Sequence, residues 1–100
     1  MKSKTGDYSI GSDVWLGTSK VLEEMGELQQ VLGKLIGNHG DQIHYDGSDI
    51  RKRLIEEIGD LIAAIHFFRA KNLSKQENEE ICKRLDNKLE LFMTWHRQEK

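Results

Sequence analysis

The sequence predicts an all-α protein, built as an antiparallel bundle of three main helices. Apolar residues recur at helical spacing in three segments, no segment alternates convincingly with a period of two, and proline is absent from the 100 residues. A chain of this length forms one small domain with a thin core. Self-association is therefore expected from size alone.

The first helix is predicted over residues 13–36, with Ser12 or Asp13 as its N-cap because short polar side chains accept a bond from a free first-turn amide. Gly37 and the polar stretch that follows it end the helix. Residues 1–12 are predicted to form a flexible N-terminal arm, and residues 13–100 form the domain. The apolar stripe of this helix has a 3-4-3-4 spacing and consists of Val21, Met25, Leu28, Leu32 and Leu35.

The second helix is predicted over residues 50–71, with Ser48 or Asp49 as its cap. Its apolar stripe is wide, so we expect it to be the most buried helix. The third helix opens at Ser74, which forms a capping box with Glu77, and runs to the C-terminus. The stripe of the second helix comprises Leu54, Ile55, Ile58, Leu61, Ile62, Ile65 and Phe68, and that of the third Ile81, Leu85, Leu89 and Phe92.

Composition excludes several classes of protein. A net charge of -2 lacks the basic surplus of a general nucleic-acid binder. Cys82 is the only cysteine, which excludes an internal disulfide and a cysteine-built zinc site. We predict that Cys82 is a small core residue and that His66, which lies within the wide stripe of the second helix, is also buried. No apolar run approaches the roughly 20 residues of a membrane span. The polar start lacks the apolar stretch of a secretory signal, so a cytoplasmic location is predicted.

Two nearly identical acidic clusters, LEEMGEL and IEEIGDL, lie 33 positions apart. Positions three apart are neighbours on a helix, so Glu24 projects beside Glu27, and Glu57 beside Asp60. Both pairs fall at the edge of an apolar stripe. When the two helices pack stripe to stripe, their edges meet, and four carboxylates are expected to converge at the mouth of a groove.

Converging carboxylates favour a divalent cation. Like charges about 4 Å apart repel by about 1 kcal/mol in water and roughly 4 kcal/mol at an effective dielectric of 20. Oxygen ligands select Mg²⁺, Mn²⁺ or Ca²⁺, and Mg²⁺ commonly shares its shell with substrate phosphates. Gly26 and Gly59 each cost their helix about 1 kcal/mol, which predicts a close backbone approach there. The competing interpretation is solvated acids in ordinary ion pairs, Lys20 with Glu24 and Arg53 with Glu57; the duplication favours a metal site.

The paired motifs EEMGEL and EEIGDL resemble the E-x-x-E … E-x-x-D signature of the MazG-like all-α nucleotide pyrophosphohydrolases. The resemblance covers about residues 14–68. It implies Mg²⁺-dependent hydrolysis of a (deoxy)nucleoside triphosphate to the monophosphate and pyrophosphate, with Mn²⁺ as a possible substitute. It also implies a homodimer or a dimer of dimers, in which helices from two chains complete a four-helix core.

Carried over by motif, the resemblance implies a set of site residues. Glu24, Glu27, Glu57 and Asp60 would be the metal ligands, and Glu23 or Glu56 would orient or deprotonate the attacking water. On the third helix, Lys83, Asn87 and Lys88, with Arg84 beside them, would bind phosphate and sugar, unless they form only a solvated basic face. Trp15 would stack on the base, unless it packs in a dimer core.

Two other functions remain open at this point. The enzyme could act on phosphoribosyl-ATP, a substrate of related pyrophosphohydrolases. Alternatively, the chain could be a non-catalytic helical module for dimerisation or interaction, with its acids on a solvated surface.

Overall fold

The computed structural model describes residues 15–40, 43 and 49–98. These residues form helices α1 (Thr18–Gly37), α2 (Ile50–Asn72) and α3 (Lys75–Gln98), and no strand. The all-α prediction is therefore confirmed. None of the helices in the described ranges is long and apolar enough to cross a membrane. The predicted arm, residues 1–12, lies outside the described residues.

Helix α1 begins later than predicted. It starts at Thr18 with Gly17 as its N-cap, and no side chain caps it. The predicted start at Asp13 is wrong because Gly17 has a left-handed φ of 85°, which an α-helix cannot continue through. Only glycine fits, since a Cβ here would lie 2.8 Å from the ring of Phe67. The proposed caps Ser12 and Asp13 lie outside the described residues.

Helices α2 and α3 begin at the predicted caps. The Asp49 side chain accepts a 3.0 Å hydrogen bond from the backbone N–H of Lys52. At the start of α3, the backbone N–H of Ser74 donates to Glu77 Oε1 at 2.8 Å, and the N–H of Glu77 donates to Ser74 Oγ at 3.1 Å. Both predicted caps are confirmed, and they fix the position at which each helix begins.

Helices α1 and α2 pack as an antiparallel pair. At one end, Asn72 accepts a bond from the backbone N–H of Leu16 at 3.0 Å and donates to its carbonyl at 2.8 Å. The ring of Trp15 stacks on Phe68 there, with the centroids 6.1 Å apart. The core between the two helices is thin, as expected for a chain of this length. Among the described side chains, those buried are Val31 of α1 and Ile50, Glu57 and Ala64 of α2.

Helix α3 leaves this pair at a short junction. Arg69 Nε donates to Asn78 Oδ1 at 2.7 Å, and Asn78 Nδ2 donates back to the carbonyl of Ser74 at 3.0 Å. No residue of α3 is buried, so within one chain the packed bundle is the α1–α2 pair. Large apolar side chains of α3 are exposed, among them Leu85, Leu89, Phe92, Met93 and Trp95.

Two predicted core residues lie at the surface. Cys82 is exposed because no helix of the same chain covers α3. His66 is exposed because it lies two positions after the buried Ala64, and residues two apart on a helix face nearly opposite directions. Both core predictions are therefore wrong for the single chain. The α2 stripe is likewise half covered, since α1 alone packs on it.

Candidate metal centre

Three of the predicted metal ligands converge between α1 and α2. Each of Glu24, Glu57 and Asp60 places a carboxylate oxygen so that the three oxygens lie within 4.8 Å of one another. Glu24 comes from the middle of α1, and the other two acids come from adjacent turns of α2. The antiparallel packing therefore brings the two sequence motifs face to face, as their helical spacing requires.

Glu57 is the buried member of this cluster. Its exposed fraction is only 8%, and its Oε2 accepts a 3.5 Å hydrogen bond from Arg53 Nη2. The other oxygen, Oε1, is buried and has no hydrogen-bond partner among the described residues. A buried, unpaired carboxylate oxygen is costly, typically by about 1–3 kcal/mol or more. A cation bound between the acids would remove this cost.

The neighbouring acids make Glu24 a weaker acid than usual. Its pKa is raised above the usual value of 4.5, first by burial and then by the charges of Asp60, Glu27, Glu23 and Glu57. Each of these effects disfavours the ionised form. Glu24 therefore marks a position where negative charge accumulates without an adequate counter-charge from the protein.

Glu27 belongs to the same electrostatic cluster. Its pKa is raised chiefly by the charge of Glu57, then by burial and by a hydrogen bond to Glu57, while Arg53 lowers it. Carboxylates only accept hydrogen bonds, so Glu27 can donate to Glu57 only when it is protonated. The charges of the two acids therefore oppose each other, and a cation bound between them would reduce this repulsion.

The two predicted water-activating acids occupy different places. Glu23 is exposed, and its Oε1 lies 2.6 Å from Lys20 Nζ. Its charge nevertheless raises the pKa of both Glu24 and Glu27, so it lies at the margin of the cluster. Glu56 is exposed and lines a shallow surface depression near the start of α2. The expected pairing of Arg53 with Glu57 is present.

The glycines of the two motifs do not mark a close approach within one chain. A Cβ built on Gly26 or Gly59 would meet no atom within 4 Å. The prediction that they bring the acid clusters together is therefore wrong for the single chain, because the other helix does not approach closely at either position. The acids converge through the antiparallel register instead.

The predicted substrate-binding residues are not gathered around the acids in one chain. Trp15 lies at the N-terminal end of α1, stacked on Phe68. Lys83 and Asn87 are exposed on α3, and Lys88 Nζ lies 5.9 Å from the ring centroid of Phe92. Because α3 does not pack on the α1–α2 pair, any contact of these side chains with the cluster would involve a second chain.

A small cavity near the acids was not predicted from the sequence. It has a volume of about 240 Å³ and is lined by Gly17, Lys20, Ala64 and Phe67. The sequence did contain one indication of it. Ala64 and Phe67 follow Asp60 by four and seven residues, which places them on the same face of the helix as that acid. Phe67 lies outside the predicted apolar stripe of α2, and nothing in the sequence marked it as the wall of a cavity.

The donor set fits a hard divalent cation. Carboxylate oxygens are the ligands that Mg²⁺ and Mn²⁺ accept, and Glu57 supplies one buried oxygen that lacks a protein partner among the described residues. The site thus combines converging acids with one buried carboxylate oxygen that has no hydrogen-bond partner among the described residues. Comparisons with protein families, with curated proteins and with solved structures gave no match to this chain.

Proposed function

We propose that this chain hydrolyses a (deoxy)nucleoside triphosphate to the monophosphate and pyrophosphate, using Mg²⁺, or Mn²⁺ in its place. The observation that carries the proposal is the buried Glu57 oxygen without a partner among the described residues, within reach of the carboxylates of Glu24 and Asp60. The reaction itself is taken from the resemblance of the paired acidic motifs to the MazG-like pyrophosphohydrolases.

The roles of the acids are those that the resemblance implies. Glu24, Glu27, Glu57 and Asp60 would hold the cation, which when bound offsets negative charge on the acids and on substrate phosphates. Hydrolysis also needs a group that orients water and accepts its proton. Glu23 is better placed for this role than Glu56, because its charge already acts on Glu24 and Glu27.

Self-association is the second part of the proposal. Many large apolar side chains of the described residues are exposed, and they occur on all three helices. Obligate dimers bury about 2,000–5,000 Å² in total, or about 1,000–2,500 Å² from each chain, and their interfaces are largely apolar. The exposed apolar side chains are thus the kind of surface that a second copy would cover.

The surface available for a second copy lies opposite the acids. Met25 and Ile58 each precede a cluster acid, Glu27 and Asp60, by two positions, so they face nearly the opposite way. A partner that covers this apolar face, completing a four-helix core, would leave the acidic face open to substrate. Apart from Phe67, the exposed large apolar residues of α1 and α2 are Leu22, Met25, Leu32, Ile36, Ile55, Ile58, Ile62 and Ile65.

Pyrophosphate release tests the enzymatic proposal. A panel of ribonucleoside and deoxyribonucleoside triphosphates, together with phosphoribosyl-ATP, would be assayed with and without Mg²⁺. We expect Mg²⁺-dependent release from at least one member and its loss in Asp60→Asn. The matched control is Glu79→Gln, which neutralises an exposed acid on α3 and should keep activity. Release that persists in Asp60→Asn, or none from any member, would contradict the proposal.

A further inference from the structure

We propose that the cavity lined by Gly17, Lys20, Ala64 and Phe67 receives the nucleobase of the nucleotide whose phosphates lie at the acids, with Phe67 as the stacking surface. This inference rests on the proposed function, because it assumes that the acidic cluster binds a nucleotide. It assigns to Phe67 the role that the sequence suggested for Trp15.

The register of the two helices places the cavity beside the acids. Gly17 and Lys20 precede Glu24 by seven and four residues, and Ala64 and Phe67 follow Asp60 by four and seven. Residues four and seven apart share a face of a helix. The cavity therefore lies on the acidic side of the pair, about one to two turns, or roughly 5–10 Å, from the cluster. A single nucleotide can span both places.

The cavity is shaped by a flat ring against a bare backbone. Gly17 has no side chain, and a Cβ there would meet two ring carbons of Phe67 at 2.8 and 3.0 Å. The ring is thereby held against the turn before α1, while about half of the Phe67 side chain remains exposed. An exposed aromatic ring fixed at a cavity wall is suited to stacking on another ring.

The volume of the cavity fits the base of a nucleotide and not the whole nucleotide. Complete small-molecule sites usually measure about 300–1,000 Å³. A cavity of about 240 Å³ is too small for a whole nucleotide but suits a single ring system. The remaining sugar and phosphates would extend along the groove toward the acids.

The charges around the cavity suit an anionic nucleotide. Lys71 Nζ lies 5.8 Å from the centre of the Phe67 ring, and Lys20 lines the cavity on the side of the acids. The Lys71 ammonium group near the ring favours a ligand that carries phosphate, while the Lys20 ammonium group is paired with Glu23 at 2.6 Å. The Trp15 ring already stacks on Phe68, with only 9° between the ring planes. Phe67 is therefore the ring at this end of the groove that lines a cavity.

The test measures binding of ligands with and without a base. Calorimetry with Mg²⁺ would use AMP, GMP, CMP and UMP as base-bearing probes and inorganic pyrophosphate as the base-free probe. In Phe67→Leu, which keeps an apolar side chain but removes the ring, we expect the best monophosphate to bind roughly 5- to 150-fold more weakly, the range for one lost base–aromatic stack. Pyrophosphate binding should be unchanged, and Phe67→Tyr should restore the nucleotide affinity.

Three results would overturn the inference. They are unchanged monophosphate binding in Phe67→Leu, an equal loss of pyrophosphate binding, and a change in oligomeric state, which would assign Phe67 to a contact between chains. Failure of the proposed function is distinguishable. If wild-type protein releases pyrophosphate and Phe67→Leu keeps its KM, only the base subsite is wrong. If the chain releases no pyrophosphate but binds a monophosphate through Phe67, only the reaction is wrong.

Discussion

Glu57 is the residue on which the candidate metal centre depends most, because it is buried and its Oε1 has no hydrogen-bond partner among the described residues. The duplicated motif identified the acids that could converge, because residues three apart on a helix are neighbours. The spacing placed Glu57, and not Glu56, beside Asp60, but it did not predict that Glu57 would be the buried acid of the cluster. Only the packing of α1 on α2 buries one of them and leaves the other exposed. Burial depends on the rotation of each helix against its neighbour, which local sequence does not determine.

The raised pKa values of Glu24 and Glu27 predict a pH dependence of stability without metal. A carboxyl whose pKa is higher in the folded state stabilises the fold fully below its unfolded pKa and loses that contribution as pH rises through the folded value. As pH rises above about 4.5, the usual value for both groups, the metal-free protein should therefore lose stability.

Urea unfolding at several pH values measures this loss. The comparison is with a Glu24→Gln, Glu27→Gln double variant, which cannot ionise at these positions but keeps the remaining carboxyls. The free energy of unfolding of the wild type should fall relative to the variant as pH rises, and Mg²⁺ should oppose the fall. If the difference in free energy of unfolding between the two proteins stays constant with pH, the folded structure does not raise the pKa values of these two acids.

At the scale of the helices, polar capping residues predicted the starts of α2 and α3 but not the start of α1. Asp49 and the Ser74–Glu77 pair were predicted because their side chains bond to free first-turn amides, and the structure shows those bonds. The start of α1 was missed because Gly17 was not recognised as a left-handed cap. The reason is a contact with Phe67, which is 50 positions away in sequence.

The cap of α2 supports the candidate metal centre indirectly, since α2 carries both Glu57 and Asp60. Asp49→Ala removes the bond to the N–H of Lys52 and should lower the free energy of unfolding by about 1 kcal/mol, within a range of about 0.5–2 kcal/mol. Chemical denaturation followed by circular dichroism measures the change. Asp86→Ala, at an exposed position inside α3, is the control and should change stability by less than about 0.5 kcal/mol.

For the whole molecule, the sequence indicated the class of fold but not the arrangement of all three helices. An apolar stripe indicates that a helix packs against another element, but it does not indicate whether that element comes from the same chain or from a second one. The structure pairs α1 with α2 and leaves the stripe of α3 uncovered, with Leu85 and Leu89 each about half exposed. The lysines and the asparagine of α3 are therefore distant from the acids of their own chain. Their assignment as substrate-binding residues stays a prediction.

The apolar face opposite the acids predicts where self-association can be weakened. Ile58→Glu places a charge on that face, so it should shift the protein toward monomer and leave α1–α2 packing largely intact. Light scattering coupled to size-exclusion chromatography measures the mass. Ala63→Glu, at an exposed position of the same helix, should leave the mass unchanged. A wild-type monomer, or an oligomer equally stable in both variants, would refute the assignment of this face.

Direct titration with a divalent cation tests the central claim that Glu24, Glu57 and Asp60 form a metal site. Calorimetry with Mg²⁺ and Mn²⁺ would compare the wild type with Asp60→Asn and with the surface control Glu79→Gln. We expect saturable binding in the wild type and the control, and loss of that binding in Asp60→Asn. Absence of saturable binding in the wild type, or binding of equal strength in all three proteins, would contradict it.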